Sequence, residues 1–254
     1  MASNNQIIKK DTIRRLLKDI KQIISNPLTD NGIYYSHDET DMLKGYAMIV
    51  GPSDTPYFGG YYFFEFQYPC DYPFSPPIVT YKTNNGLTRF NPNLYKCGKV
   101  CVSILNTWSG DKWSSCQTVN SVLLTLCSLL NNAPLENEPS QDSSSPDFIP
   151  YQKSIEYSNI DFAICALLNN TKNIIPPAFE LFYPIMKQQF LINYDKLYQF
   201  VTSKSGLQSV EFVKIYAMTT AIDYDQLKHK LEEVRTVVEM NTTFEKVVPN
   251  SSII

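Results

Sequence analysis

The stretch GYYFFEFQYPCDYPFSPPIVTYK, residues 60–82, decides the fold of this chain. Two segments of strand-forming residues, 60–68 and 77–82, flank a turn that carries four prolines between positions 69 and 77. Because proline cannot donate to a strand ladder, the pattern predicts two strands joined by a chain reversal. Aromatic residues at this density favour a strand that packs beneath a helix.

Two earlier segments, 33–37 and 43–51, extend this pattern to four strands. The connections between the segments are short and rich in turn residues, as in GPSDTPYFGG at 51–60. Short connections between consecutive strands predict an antiparallel meander, and one face of such a sheet must be covered by helices.

A helix over residues 7–25 is predicted before the strands, because apolar residues recur there at helical spacing and Pro27 lies just beyond. The apolar face consists of Ile13, Leu16, Leu17, Ile20, Ile23 and Ile24. The other face is basic and contains Lys9, Lys10, Arg14, Arg15, Lys18 and Lys21. Two interpretations of the basic face stay open: a solvated surface, or a docking surface for an acidic protein.

Regular patterning stops between positions 83 and 118. An irregular stretch of this length inside a compact domain is usually functional. A buried helix follows, and its alternative start signals are Thr118 or a capping box of Ser114 and Gln117. Its apolar positions are Val119, Val122, Leu123, Leu126, Leu129 and Leu130.

The rest of the chain is predicted to be mostly helical. Amphipathic patterns favour helices around 151–169 and 178–203, and a last helix over 223–240 after a polar break near SKSGLQ. The order of helix, four strands, irregular loop and helices defines an α+β fold. We expect residues 1–203 to form one domain with its C-terminal helices, and 204–254 to form an extension with one helix.

The composition is that of an ordinary globular protein: 254 residues, 43% apolar and 19% charged, with a formal charge of −3. This balance gives no reason to expect a nucleic-acid or membrane-surface partner. No apolar run has the length of a membrane span, and charges interrupt any signal-peptide core. We expect a soluble intracellular protein in the cytoplasm, with the nucleus as an alternative. The Asn-, Ile-, Tyr- and Lys-rich composition suits an AT-rich viral or protist genome, and a viral source implies the host cytoplasm.

The six cysteines are too few for a disulfide scaffold, and a reducing compartment keeps them as thiols. Two of them, Cys97 and Cys101, lie in the loop FNPNLYKCGKVCVSIL at 90–105. A zinc site needs four ligands, and no second cysteine pair or clustered histidine accompanies these two. Because His37 and His229 are isolated in the sequence, a metal site and a cysteine–histidine pair are both disfavoured. A nucleophilic thiol and a small buried side chain remain as interpretations of Cys101.

A cysteine without a paired base can still act on an activated electrophile. At an ordinary thiol pKa near 8.5, a few per cent of the thiol is thiolate at neutral pH, which suffices when the electrophile is a thioester. Exchange between two thioesters is nearly balanced in energy. The protein then mainly has to position the reactants and stabilise the oxyanion.

The residues around this loop resemble the ubiquitin-conjugating enzymes. The resemblance is carried by GPSDTPYFGGYYFFEFQYPCDYPFSPPIV, by Cys101 eight residues after Asn93, and by a Trp-Ser before an apolar helix. Most of that family has His-Pro-Asn where this chain has Asn91-Pro92-Asn93. The run RFNPNLYKCGKVCVSILNTWSGDKW, with SVLL, SLL and NEP after it, is similar to the Z-type branch, whose members share the Asn-Pro-Asn and the longer loop. The resemblance implies the α+β UBC fold and an extended C-terminus.

The resemblance also implies roles for residues of the loop. Cys101 stands at the catalytic position, where the family holds the C-terminal glycine of ubiquitin as a thioester. Asn93 matches the asparagine whose amide orders the loop and supports the oxyanion. Glu138 stands where many members have an acidic residue that orients and deprotonates the attacking lysine, and Asn137 is the neighbouring candidate for that gate. A plain helix-exit charge is the alternative interpretation of Glu138.

The implied partners are ubiquitin or a ubiquitin-like modifier, a ubiquitin-activating enzyme, ubiquitin ligases and substrate proteins. Lys9, Lys10, Arg14 and Arg15 match the region that docks the activating enzyme, and Phe74 matches a loop residue used against ligases. The second ligase loop departs from the family, because WSSC at 113–116 replaces Trp-Ser-Pro-Ala, which weakens the expectation of a RING-type ligase. No cofactor or metal is implied, since ATP is used by the activating enzyme.

The sequence therefore predicts an acyltransferase that accepts the modifier on Cys101 and passes it to a substrate lysine or a ligase. The alternative is a non-catalytic UBC-like module that only binds ubiquitin. Such modules usually lack the cysteine, whereas this chain keeps Cys101, Asn93 and the full loop. A purely structural α+β protein is a third and weaker hypothesis.

Overall fold

The computed structural model describes residues 8–169 and 174–244. Four strands form one antiparallel sheet in the order β1-β2-β3-β4. The strands are β1 (Ile33–His37), β2 (Lys44–Val50), β3 (Tyr61–Gln67) and β4 (Ile78–Tyr81). Each strand end lies within one residue of its predicted position, so the predicted meander is confirmed.

Both faces of the sheet are covered, although the sequence led us to expect helices on one face. Four consecutive residues of β3, Tyr61–Phe64, have no exposed surface, and neighbouring residues of a strand point to opposite faces. On one face the Tyr61 hydroxyl donates to the carbonyl oxygen of Met186 at 2.7 Å. On the other, the ring of Tyr62 packs edge-on against Phe90, which precedes the Asn-Pro-Asn turn.

Helix α1 (Lys10–Ser25) precedes the sheet and begins within the predicted range, while residue 7 lies outside the described residues. Leu16 and Ile23 are buried, as expected for its core-facing side. Leu17 and Ile24 are wrongly placed on that side by the sequence pattern, because their side chains are 51% and 53% exposed. The buried side of α1 is therefore narrower than the band of apolar residues in its sequence.

Helix α2 (Val119–Ser128) starts at the first of the two predicted signals, Thr118. The Thr118 hydroxyl accepts from the backbone nitrogen of Ser121 at 3.3 Å, and the Ser121 hydroxyl accepts from that of Thr118 at 3.0 Å. This reciprocal pair is a capping box that satisfies two otherwise unpaired donors. The alternative start at Ser114 and Gln117 is therefore wrong.

The predicted helix around 151–169 is a composite. Helix α3 (Phe148–Ser158) continues as a π-helical segment (Asn159–Ala166) and ends in the short helix α4 (Leu167–Asn169). At the start of the π-helical segment, the buried Asn159 amide donates to the Phe58 carbonyl oxygen at 3.0 Å. A 3-10 turn then leads into helix α5 (Tyr183–Ser203), which falls within the predicted range 178–203.

Two strands in the C-terminal extension were missed by the sequence analysis. Strands β5 (Gln208–Val213) and β6 (Met218–Asp223) form an antiparallel hairpin, and helix α6 (Tyr224–Phe244) follows directly. The extension thus contains a hairpin besides its one predicted helix, and residues 245–254 lie outside the described residues. The buried side of α6 joins the same hydrophobic cluster as the sheet; it consists of Tyr224, Leu227, Leu231, Val234 and Val238.

Candidate active site

Cys101 lies at the base of a shallow cleft in the irregular loop between β4 and α2. Its side chain is only 3% exposed, and its sulfur donates to the carbonyl oxygen of Thr107 at 3.0 Å. The cleft is lined by Pro92, Asn93, Tyr95, Cys101, Trp108, Asn137, Glu138 and Pro139. Because the thiol is turned towards Thr107, it must rotate away from that carbonyl before it can attack an acyl group in the cleft.

Asn91 is a fully buried structural residue of the Asn-Pro-Asn turn. Its side-chain nitrogen donates to the Tyr57 hydroxyl at 2.9 Å and to the Leu129 carbonyl oxygen at 2.8 Å. Its side-chain oxygen accepts from the backbone nitrogen of Asn93 at 2.9 Å. Burial raises the pKa of Tyr57, so this hydroxyl stays protonated and donates in turn to the Phe90 carbonyl oxygen. Asn91 thereby fixes the turn to the core beneath the cleft.

Asn93 is tied to the catalytic position by its amide. Its side-chain nitrogen donates to the carbonyl oxygen of Cys101 at 2.6 Å. Its side-chain oxygen is buried and has no hydrogen-bond partner within residues 8–169 and 174–244. The geometry fits the predicted role in ordering the loop, whereas donation to an oxyanion needs the amide to leave the Cys101 carbonyl.

The two gate candidates occupy different environments at the exit of a 3-10 turn (Pro134–Asn137). The amide of Asn137 donates to the Leu129 carbonyl oxygen at 3.0 Å and accepts from Asn131 at 2.9 Å, so it belongs to the scaffold. Glu138 lines the cleft, and one of its carboxylate oxygens, Oε2, accepts from the Tyr216 hydroxyl at 2.7 Å. Of the pair, Glu138 is the residue with an acid–base group at the cleft.

Arg89 supports the turn from outside and was missed by the sequence analysis. Its guanidinium donates to the carbonyl oxygens of Asn91 at 3.2 Å and Pro92 at 2.5 Å. The same group lies 3.5 Å from the ring centre of Tyr95 and 5.1 Å from that of Tyr216. The only signal in the sequence is that this arginine immediately precedes Phe-Asn-Pro-Asn, and no known spacing predicts its contact with the turn.

The predicted docking residues on α1 divide into two groups. Lys9, Lys10 and Arg14 are exposed, and the exposed pair between Arg14 and Asp11 spans 3.9 Å. Arg15 turns inward, with a side chain only 17% exposed. Its guanidinium donates to the carbonyl oxygens of Ser115 and Gln117 and to the buried carboxylate of Asp19 at 2.9 Å. The hydrogen bonds of the Arg15 guanidinium therefore hold the loop before α2.

Phe74 projects from the loop between β3 and β4, and its ring is 71% exposed. The indole nitrogen of Trp113 donates to the Pro73 carbonyl oxygen at 2.7 Å, so the two predicted ligase loops are joined beside Phe74. Cys116, at the departure from the family pattern, is exposed. An exposed aromatic ring on a braced loop is the geometry that a protein partner can use, and the ligase role of Phe74 stays a prediction.

Neither a metal cluster nor a membrane-spanning helix occurs among the described residues. No group of three or more histidine, cysteine or acidic side chains is arranged to hold a metal ion there. No helix in the described ranges is long and apolar enough to cross a membrane. Cys97, the neighbour of Cys101 in the sequence, is exposed and lies outside the lining of the cleft.

With this geometry in place, comparison with known proteins settles the class. A family model described as ubiquitin-conjugating enzyme matches residues 15–160, more than half of the chain. The chain belongs to the ubiquitin-conjugating enzyme family. The predicted family and its α+β UBC fold are thereby confirmed.

The relatives point to one branch of the family. Ubiquitin-conjugating enzyme E2 Z of Xenopus tropicalis is 39% identical over 195 residues, which cover 76% of this chain and 60% of that protein. Ubiquitin-conjugating enzyme E2 Z of Homo sapiens is 40% identical over 184 residues, which cover 71% of this chain and 50% of that protein. The dual E2 ubiquitin-conjugating enzyme/E3 ubiquitin-protein ligase BIRC6 of Homo sapiens is 39% identical over 177 residues, covering 64% of this chain and 4% of that protein. The predicted Z-type branch is confirmed, and the matched region spans between 50% and 60% of these two E2 Z relatives.

Proposed function

We propose that this chain is an active conjugating enzyme that carries ubiquitin, or a ubiquitin-like modifier, as a thioester on Cys101. The observation that carries the proposal is the cleft itself: a cysteine whose carbonyl is held by Asn93, with the carboxylate of Glu138 at the same cleft. The proposed setting is the cytoplasm.

The reaction has two steps. In the first, the Cys101 thiolate attacks the thioester carbonyl of the charged activating enzyme; a new carbon–sulfur bond forms and the activating enzyme leaves as a thiolate. In the second, the neutral amine of a lysine attacks the Cys101 thioester, an amide bond forms, and the Cys101 thiolate leaves. Because only about one lysine amine in 2,500 is neutral at pH 7, a base at the cleft raises the rate of this step. Transfer to a ligase cysteine replaces the amide by a second thioester.

Three residues in or beneath the cleft have distinct parts in this scheme besides Cys101. Asn93 and Asn91 keep the loop in place, which holds the acyl carbon in a fixed position for attack. Glu138 accepts the proton of the incoming amine or orients it through a hydrogen bond. This chain needs no cofactor, because ATP is consumed by the activating enzyme.

The test is incubation with ubiquitin, a ubiquitin-activating enzyme and ATP, followed by electrophoresis without and with a thiol reductant. Wild type should form a reductant-sensitive adduct, and Cys101→Ser should form a reductant-resistant ester. Cys97→Ser is the matched control, because this exposed thiol lies four residues away and should leave charging unchanged. The same assay with other modifiers and their activating enzymes decides which modifier is used.

The alternative hypothesis, a non-catalytic ubiquitin-binding module, predicts different results in this assay. It requires ubiquitin binding that survives Cys101→Ala and no adduct on wild type with any modifier in the panel. That combination of results would overturn the proposed function.

A further inference from the structure

The hairpin of the C-terminal extension contacts Glu138, a residue that lines the cleft, through its turn. The turn is a 3-10 segment, Lys214–Tyr216, between β5 and β6. The carboxylate of Asp147, next to the start of α3, accepts from the backbone nitrogens of Lys214 at 2.8 Å and Ile215 at 2.9 Å. Val213 and Met218, on either side of the turn, are buried. The turn is therefore held in one position by the body of the protein.

From this position, Tyr216 contacts Glu138, which lines the cleft. Its hydroxyl donates to the Oε2 atom of Glu138 at 2.7 Å, across 78 positions of the sequence. Its ring packs against Tyr151 with 5.5 Å between the centroids, which restricts the side chain. A neutral hydroxyl that donates to a carboxylate forms a short charge-assisted hydrogen bond.

The same ring also lies near Arg89, which braces the Asn-Pro-Asn turn. The guanidinium carbon of Arg89 lies 5.1 Å from the ring centre of Tyr216 and 3.5 Å from that of Tyr95, so the arginine is flanked by two aromatic rings. Arg89 in turn holds the carbonyl oxygens of Asn91 and Pro92. One side chain from the extension thus touches both the gate carboxylate and the brace of the Asn-Pro-Asn turn.

We propose that Tyr216 is a positioning residue for lysine transfer, which aims the Glu138 carboxylate by holding Oε2 and leaves Oε1 to meet the incoming amine. The inference deepens the proposed function and rests on it. Tyr216 touches no reacting atom; it acts through Glu138. The C-terminal extension therefore supports the catalytic cleft from outside, through Glu138.

The protonation state of Tyr216 agrees with this role. Burial, together with the nearby Glu138 carboxylate, raises the pKa of Tyr216 above its ordinary value of 10.0. The hydroxyl therefore remains a donor across the neutral and mildly alkaline range in which lysine transfer is measured.

Tyr216→Phe is the informative variant, because it removes only the hydroxyl and keeps the ring against Tyr151 and Arg89. We expect charging of Cys101 within about twofold of wild type and single-turnover discharge to free lysine slower by about tenfold, part of the usual contribution of a positioned acid–base group. In the background of Glu138→Gln, the same substitution should cause no further loss, because the carboxylate that it aims is absent.

The chain offers a matched control in Tyr198, whose hydroxyl donates to the Oε1 atom of Glu232 at 2.9 Å between α5 and α6. Tyr198→Phe removes the same kind of hydrogen bond away from the cleft and should leave discharge unchanged. Unfolding midpoints of both variants should agree, which separates positioning from a general loss of stability.

Several results would overturn the inference. The positioning role is excluded if Tyr216→Phe discharges at the wild-type rate, or if charging and discharge slow equally. It is also excluded if the substitution slows discharge as much in the Glu138→Gln background as in wild type. Each of these results leaves the function of Cys101 intact. Failure of wild type to form any adduct on Cys101 would overturn both proposals.

Discussion

Asn93 and Cys101 are joined in both directions: the backbone nitrogen of Cys101 donates to the Asn93 carbonyl oxygen at 2.9 Å, and the Asn93 amide donates to the Cys101 carbonyl oxygen at 2.6 Å. The pair forms a closed ring around the loop that carries Cys97 and Gly98. The backbone of Cys101 is therefore held by two hydrogen bonds, one of which depends on a side chain.

Asn93→Ala removes that second bond, and we expect two effects. The free energy of unfolding should fall by about 1 kcal/mol, the usual net value of one such hydrogen bond, and lysine discharge should slow more than charging. Urea unfolding and single-turnover discharge measure the two effects. Asn132→Ala, at an exposed asparagine, is the control. An unchanged unfolding free energy in Asn93→Ala would refute the structural part of its role.

Asn91→Ala should be more destabilising than Asn93→Ala. It removes three hydrogen bonds at a fully buried position and leaves the backbone nitrogen of Asn93 without its acceptor. We expect a loss of about 3 kcal/mol, since each unsatisfied buried group costs about 1–3 kcal/mol. Asn91→His, which introduces the residue of most of the family, should also destabilise, because two ring nitrogens cannot make three bonds. Equal stability of Asn91→His and wild type would contradict this account.

Arg15→Ala should lower the free energy of unfolding by about 3 kcal/mol, the range seen when one partner of a buried ion pair is removed. Asp19 is only 2% exposed, and Tyr72 then remains its single described donor. Arg14→Ala is the matched control one residue away: its side chain is 81% exposed, so the change should stay within about 0.5 kcal/mol. Similar losses in both variants would contradict this account, because Arg14 makes no contact with Asp19 and alanine favours the helix at least as well as arginine.

Charge reversal at Lys10 and Arg14 tests the predicted docking surface. Both residues are exposed, so Lys10→Glu/Arg14→Glu should leave the unfolding midpoint near that of wild type. If an acidic surface of the activating enzyme docks there, charging should slow, and the difference from wild type should shrink as salt rises. Lys196→Glu, at a lysine of α5 whose side chain is 60% exposed, is the control outside the basic face. Charging at the wild-type rate at low salt would leave the basic face as a solvated surface.

His37 predicts how stability depends on pH. Its ring nitrogens lie 2.9 Å from the Tyr35 hydroxyl and 3.0 Å from the Met42 carbonyl oxygen, which suits the neutral ring as one acceptor and one donor. Burial lowers the pKa of His37 in the folded protein, while the Met42 carbonyl, Asp38 and Asp41 oppose the shift. The unfolded chain therefore binds the proton first as pH falls.

The contribution of His37 is fully present above the unfolded pKa of about 6.5 and is lost as pH falls through the lower folded pKa. In urea unfolding, the free energy of unfolding of wild type should be lower at about pH 5.5 than at about pH 7.5. The same decrease should be smaller for His37→Gln. His229→Gln is the control, because that side chain is 77% exposed and should leave the drop unchanged. A wild-type drop that His37→Gln does not reduce contradicts the assignment.

The four-stranded sheet could be predicted because its signals are local. Alternation, aromatic residues and proline-rich turns mark each strand of the sheet within a few positions, and Thr118 marks the start of α2 in the same way. Cys101 and Asn93 were reached by resemblance to a family, on a motif whose spacing is contained in one loop. Local signals were sufficient for the sheet and the start of α2, whereas the roles of Cys101 and Asn93 needed the family pattern.

The hairpin and its contact with Glu138 could not be predicted in this way. Strands β5 and β6 are short, and their turn KIYA lacks the glycine or asparagine that usually marks a hairpin. Two strands alone are marginally stable and depend on packing, here against α3. The contact between Tyr216 and Glu138 exists only in the folded molecule, since no local pattern relates residues so far apart in the chain.

The position of the turn at 214–217 also bears on how the protein is made. Chains leave the ribosome from the N-terminus, so Cys101 and the whole sheet emerge long before Tyr216. A nascent chain, or a fragment cut after Ser203, already carries the thiol and its loop but lacks the hydroxyl that aims Glu138. If the positioning role of Tyr216 holds, efficient transfer to lysine is reached only after residue 216 has been made and the hairpin has docked.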